Sequence, residues 1–239
     1  PLRQQQTIYF MRRLFLSTLA TAALLSCGTT KELTTSTQGI DNNVNYSEFF
    51  TDGTMRFDFH HAGDSKEEFY YFDKVIREGE WAGSKVSLIN PFDYGEQHFR
   101  IIDKASGKVI YSRGYSTLFS EWQATPEAKT TSKAMPEGVV FPYPKNDVTI
   151  EIYSRSNATG KFTKKFAYDI DVDSYFVRKS RPSLNTMDIH YTGNPAKRVD
   201  IVLIAEGYTE AEKDKFVNAC KGFVDDFFSY EPYTANKQN

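Results

Sequence analysis

The sequence predicts a mainly β protein: an antiparallel β-sandwich, followed by the first strand and helix of a truncated α/β domain. Three observations predict it. Short runs of alternating apolar and polar residues recur between residues 49 and 172, punctuated by Gly, Pro and Asn. Aromatic residues make up 15% of the chain, and such side chains pack well on a pleated face. After residue 198 the pattern changes to one continuous apolar run and then a stripe of helical period.

The elements follow in order. Residues 1–26 read as a signal sequence with an upstream extension. Arg12 and Arg13 follow Met11, and a largely apolar run extends from Leu14 to Leu25. That run is too short to span a bilayer, which needs ~20 residues. It ends in Leu24-Leu25-Ser26-Cys27-Gly28, which resembles a bacterial lipobox, so Cys27 is expected to be lipidated and to anchor the chain in a cell envelope, at the outer membrane. Residues 27–48 are polar and read as the lipidated cysteine and a flexible tether.

Residues 49–172 form the predicted sandwich. Met55, Phe57 and Phe59 alternate with Arg56, Asp58 and His60, and the run Phe69 to Ile76 is aromatic and β-branched. Val86, Leu88 and Ile89 give a further strand signal before the Asn90-Pro91 break. Phe99 to Ile102 and Lys108 to Tyr111 flank a hairpin turn at Asp103 to Gly107. Val148, Ile150 and Ile152 alternate with polar neighbours, as do Phe166, Tyr168, Ile170 and Val172, and Asn157 to Gly160 turns the chain between these runs. No helical period is evident in this region.

Residues 173–197 read as a linker. Residues 198–239 then open a second domain. Val199 to Ala205 is nearly all apolar, as expected of a strand buried on both faces. Glu206-Gly207-Tyr208 turns the chain, and Thr209 with Glu212 forms a capping box for a helix ending near Phe228. Phe216, Ala219, Cys220, Phe223, Val224 and Phe227 give that helix a core-facing stripe. One strand and one helix bury too little to fold alone, so the sequence is expected to be a fragment continuing past Asn239.

At this point several separated stretches, in one order, resemble the bacterial IgA peptidase family of zinc metallopeptidases, including its N-terminal β-domain. They are Trp81 to Ser84, Pro91 to Gly95, Tyr111 to Gln123, Thr125 to Ala128, Phe141 to Pro144 and Val199 to Thr209. The resemblance implies peptide-bond hydrolysis by metal-activated water, with Zn2+ held by H-E-x-x-H on a helix. None of the four histidines, His60, His61, His98 and His190, belongs to such a motif. No zinc ligand or catalytic residue is therefore assigned in this chain, which alone is expected to be inactive and to bind no metal. Zn2+ and a protein or peptide substrate are expected of the full-length protein.

Other candidates have plainer readings. His60 and His61 are adjacent on a strand, so they point to opposite faces and suit one metal poorly. His98 and His190 are isolated. Asp169, Asp171 and Asp173 lack the Gly and the Glu of a calcium loop and read as the wet face of a strand. Cys220 reads as a small buried hydrophobe. Glu206, Gly207 and Tyr208 lie at the carboxyl end of a buried strand, where α/β sites often form, and are the candidate site loop. With Cys27 acylated, no disulfide framework is expected. The net charge is -2, and removing residues 1–26 takes away Arg3, Arg12 and Arg13 but no acid. A basic nucleic-acid footprint is absent, so nucleic acid is excluded as a partner. The alternative to the peptidase reading is a non-catalytic envelope lipoprotein whose sandwich binds a polymer or protein partner.

Overall fold

A computed structural model describes residues 32–33, 37, 39–179 and 185–238. By internal contacts the chain divides into residues 1–32 and a unit of residues 33–239, and the account below concerns the second. The expected signal sequence, Cys27 and part of the tether (28–31, 34–36 and 38) lie outside the described residues.

After a two-residue strand, β1 (Glu32–Leu33), a short helical turn α1 (Tyr46–Phe49) leads into β2 (Phe50–Gly63) and β3 (Glu68–Glu80). Then come β4 (Gln97–Asp103), β5 (Val109–Tyr115), the helix α2 (Leu118–Gln123), β6 (Lys133–Pro144), β7 (Val148–Arg155), β8 (Phe162–Ile170) and β9 (Arg178–Lys179). One sheet runs β6-β2-β3-β9, and the other contains β8-β7-β4-β5 in that order. Every pairing among β2 to β8 is antiparallel, and the short β3–β9 pair is parallel.

The inner faces of the two sheets share one core. Met55, Phe57, Phe59 and Phe141 come from one sheet, and Phe99, Ile101, Ile150 and Ile152 from the other. Rings bridge the layers, with centroids 5.6 Å apart for Phe57 and Tyr168 and 6.4 Å for Phe99 and Phe141. This is the alternation that the sequence predicts: Arg56, Asp58 and His60 face outward while their neighbours are buried.

The structure departs from the sequence reading at four places. Val86 to Ile89 is not a strand. Leu88 and Ile89 are buried, but this segment crosses beside β5 as a loop, with Ser112 donating its backbone N–H to Leu88 O at 3.0 Å. Conversely, β6 carries Pro136, Pro142 and Pro144, which hid it. It is an edge strand, where a residue lacking an N–H leaves the sheet intact. The helix α2 spans only six residues, too few for a helical period to show in sequence. Lastly, Val199 to Ala205 forms no strand, and Val199, Ile201, Val202 and Ile204 are exposed. A strand buried on both faces needs partners at both edges and both faces, and none is present among the described residues.

The helix of the tail is present. A single turn at Glu210–Glu212 leads into α3 (Lys213–Phe227), capped as expected: the Thr209 backbone N–H donates to Glu212 Oε2 at 3.1 Å. Cys220 is buried and free, but Phe223 on the same stripe is 47% exposed. No helix among the described residues is long and apolar enough to cross a membrane.

Candidate functional site

The candidate loop is placed as a turn. Gly207 adopts φ +75°, a left-handed conformation in which Gly carries no steric penalty, so the chain reverses there. Glu206 is exposed, and the Tyr208 ring packs 5.1 Å from that of Phe216 on α3. Tyr208 lines a cavity of about 960 Å3 with Val199, Ile201, Phe216, Cys220 and Phe223. Neither Glu206 nor Gly207 lines it. The polar groups there include His190, whose Nε2 lies 3.4 Å from Lys237 O. Of the three candidate residues, only Tyr208 lines the cavity.

The structure gathers polar groups elsewhere, inside the sandwich. Continuing the alternation of β2 past Phe59 places His61 on the core face, and it is fully buried. Gly63 then lets the strand turn back. Its φ is +148°, and a Cβ there would lie 2.0 Å from the Glu67 carbonyl oxygen. The tight return sets Gly63 opposite Glu68 and His61 opposite Tyr70. On the other flank β6 pairs Phe59 with Glu137, so Glu137 shares the inner face.

His61 lies between two carboxylates. Its Nδ1 is 3.2 Å from Glu137 Oε1, and its Nε2 is 3.1 Å from Glu68 Oε2. The ring is sandwiched by Tyr70, with centroids 4.3 Å apart, and by Phe119 of α2 at 3.9 Å. The Tyr70 hydroxyl reaches Glu68 Oε2 at 3.3 Å and, across the layers, Ser154 Oγ at 3.1 Å. Lys165 Nζ meets Glu68 Oε1 at 3.2 Å. Burial by itself disfavours a charged imidazole; the hydrogen bonds and charges of Glu137 and Glu68 overcome it and raise the His61 pKa. Burial likewise opposes the Glu68 carboxylate, yet the bond from His61 and the charge of Lys165 lower its pKa. The Tyr115 hydroxyl is pushed well above its ordinary value, by burial and then by the two carboxylates.

These residues do not fit a zinc ion. Both ring nitrogens of His61 are engaged by carboxylates, so neither offers a lone pair outward. His98 is buried beside Phe162, its pKa depressed to about 3 by burial and then by the charge of Arg100. His60 faces away from His61. Among the described residues no group of three or more His, Cys, Asp or Glu is disposed to hold a metal ion. Asp169 is exposed and pairs with Lys104 at 2.7 Å, while Asp171 accepts the Asp173 N–H at 3.0 Å to make a turn. The acids are thus spent on the surface of β8 and the turn after it.

The His61 cluster went unnoticed in the sequence, because Glu137 is distant along the chain. One signal was available: the period of two, carried from Phe57 and Phe59, lands a histidine on an otherwise apolar face.

A separate, exposed feature lies in the loop that leads into β4. Phe92 and Tyr94 stack with centroids 5.4 Å apart and are 57% and 72% exposed. Arg155 braces their loop by donating to Asp93 O at 2.8 Å and to Gly95 O at 3.1 Å.

Comparison with known families accounts for both parts of the chain. A family model described as Peptidase M64 N-terminus matches residues 45–167, more than half of the chain and most of the sandwich. A second, described as IgA Peptidase M64, matches residues 187–239 and so takes in the tail. No curated protein matches the sequence. With the two models in succession along one polypeptide, the chain belongs to the IgA peptidase M64 family.

Proposed function

We propose that this chain is the N-terminal portion of a secreted zinc metallopeptidase, in which the sandwich braces a catalytic domain begun by residues 198–239. The observation that carries the reading is the second family match, which falls on the segment whose apolar residues are left exposed. Val202 at 78% and Ile204 at 84% exposure sit where a buried strand is expected, and Phe223 faces outward on α3. Such a surface suits further polypeptide of the same domain. The residues here do not supply the metal set, so zinc and hydrolysis belong to the whole protein. The sandwich itself carries out no chemical step. Its substrate would be a protein or peptide; immunoglobulin A and other host or dietary glycoproteins are candidates.

The test uses the full-length gene product. Purified from a metal-replete culture, it should contain one zinc per chain and cleave a protein substrate until a chelator is added. A full-length product that binds no zinc, or cleaves nothing with zinc bound, overturns the reading. We further propose a cell-envelope location, with the outer membrane reached through acyl chains on Cys27. Wild-type protein should incorporate labelled palmitate and Cys27→Ala should not; equal labelling of the two would refute the anchor.

A second reading is favoured by the braced aromatic pair. If the sandwich is an envelope binding module, Phe92 and Tyr94 form its contact surface. Phe92→Ala with Tyr94→Ala should then abolish retention on a polymer or protein partner without lowering stability.

A further inference from the structure

His61 sits where the pattern of β2 calls for a hydrocarbon, and both its ring nitrogens face carboxylate oxygens, at 3.2 and 3.1 Å. Two acceptors on opposite sides require two N–H donors. A neutral imidazole has one, and only the imidazolium has both. The groups around it complete the charge balance. Glu68 and Tyr70 approach from β3, Glu137 from β6 and Lys165 from β8, through its ion pair with Glu68. The hydroxyls of Tyr115 on β5 and Ser154 on β7 stand nearby, and α2 contributes only the apolar ring of Phe119. Formally two cations, the buried His61 and the exposed Lys165, meet two anions, and Glu137 Oε2 is enclosed with no hydrogen-bond partner among the described residues.

Phe119 links this cluster to a larger unit. It packs with Trp122 and Ala128, and Met135 lies against them. The segment 117–130 closes over the β2–β3 turn, with the Ser65 N–H donating to Ala128 O at 3.0 Å and Gln123 Nε2 donating to Asp64 O at 2.8 Å. Glu137 meanwhile also lines a surface cleft of about 250 Å3 with Arg56, Asp58, Asp73 and Lys74. That cleft is on the outer face of the sheet, beside Arg56 and Asp58, whereas the Glu137 carboxylate is on the inner face with its Oε2 enclosed.

We propose that His61 is a pH switch governing residues 117–130. As imidazolium it holds Glu68 and Glu137 apart and keeps the Phe119 cap closed. As pH rises it releases one proton. One N–H then remains for two carboxylates, the carboxylate left without a donor repels the other, and the cap opens.

The test is hydrogen exchange of the 239-residue chain between pH 6 and pH 9, corrected for intrinsic exchange rates, beside imidazole nitrogen NMR with His60 as internal control. His61 should carry two N–H groups at pH 6. Protection of the Ser65 and Ala124 amides should fall about tenfold per unit of pH above its titration, while amides in the β7–β8 ladder hold. In His61→Gln that slope should vanish. A single N–H on His61 at pH 6, or cap amides whose protection is constant through its titration, overturns the proposal. The wild-type NMR and exchange data decide the matter even if His61→Gln does not fold.

Discussion

Gly63 sets the geometry of the buried cluster at the scale of one residue. With φ at +148° and the Glu67 carbonyl in the place of a Cβ, a side chain would force the β2–β3 turn open and carry Glu68 away from His61. Gly63→Ala is expected to cost about 2–3 kcal/mol, read as a lower urea midpoint at neutral pH. Phe59, inside the same strand and 1% exposed, should cost about 3–5 kcal/mol when cut to Ala. Glu68 makes an acid-side prediction. Its folded pKa is lowered, so the stability it contributes is present above the unfolded carboxylate value of ~4.3 and is lost as pH falls through the folded value. Urea midpoints measured from pH 3 to pH 6 should therefore fall on the acid side in wild type and fall less steeply in Glu68→Gln. His61 has the opposite sign: its pKa is raised, so its contribution is complete below ~6.5 and is lost as pH climbs through the folded value. The cluster thus stabilises the sandwich most between those two limits.

At the scale of elements, legibility followed period. The strands around Phe57, Ile150 and Tyr168 could be read because a half-buried antiparallel strand alternates residue by residue, whereas β4, buried along nearly its whole length, was read from the hairpin turn that follows it. The strand β6 could not, since three prolines mask a pattern in which Val139 and Phe141 are buried while Val140 is 44% exposed. That inner–outer difference is measurable: Phe141→Ala should cost about 3–5 kcal/mol, whereas Val140→Thr should stay within about 0.5 kcal/mol. The helix α3 was legible through its cap. Its start depends on Glu212 accepting from the Thr209 N–H and hydroxyl, at 3.1 and 3.0 Å. Thr209→Ala should cost that helix about 1 kcal/mol, visible as weaker helical chemical shifts over residues 210–214. The His61 cluster lay beyond sequence reading for a different reason. Its charged members come from four strands, and the register that brings Glu137 opposite Phe59 is set by packing.

At the scale of the whole molecule, the described chain contrasts a closed sandwich with a tail left bare. The sandwich buries its large residues, and eleven side chains are counted among its largest fully enclosed groups. All eleven fall within residues 50–162, which places the core in the first family match. The tail carries an apolar run with the composition of a core strand, and its side chains face water. Composition was readable there, but a strand also needs neighbours. Replacing Val202 and Ile204 by Ser should therefore leave the urea midpoint of the sandwich within about 0.5 kcal/mol for each change, while lowering binding of a hydrophobic dye.

The prolines of β6 carry a consequence for how copies meet. A sheet rim with free amides recruits the rim of its neighbour. Here the rim lacks donors at Pro136, Pro142 and Pro144, so a would-be template finds gaps where hydrogen bonds should be. Copies that meet in solution can press against this border without zipping into fibres along it.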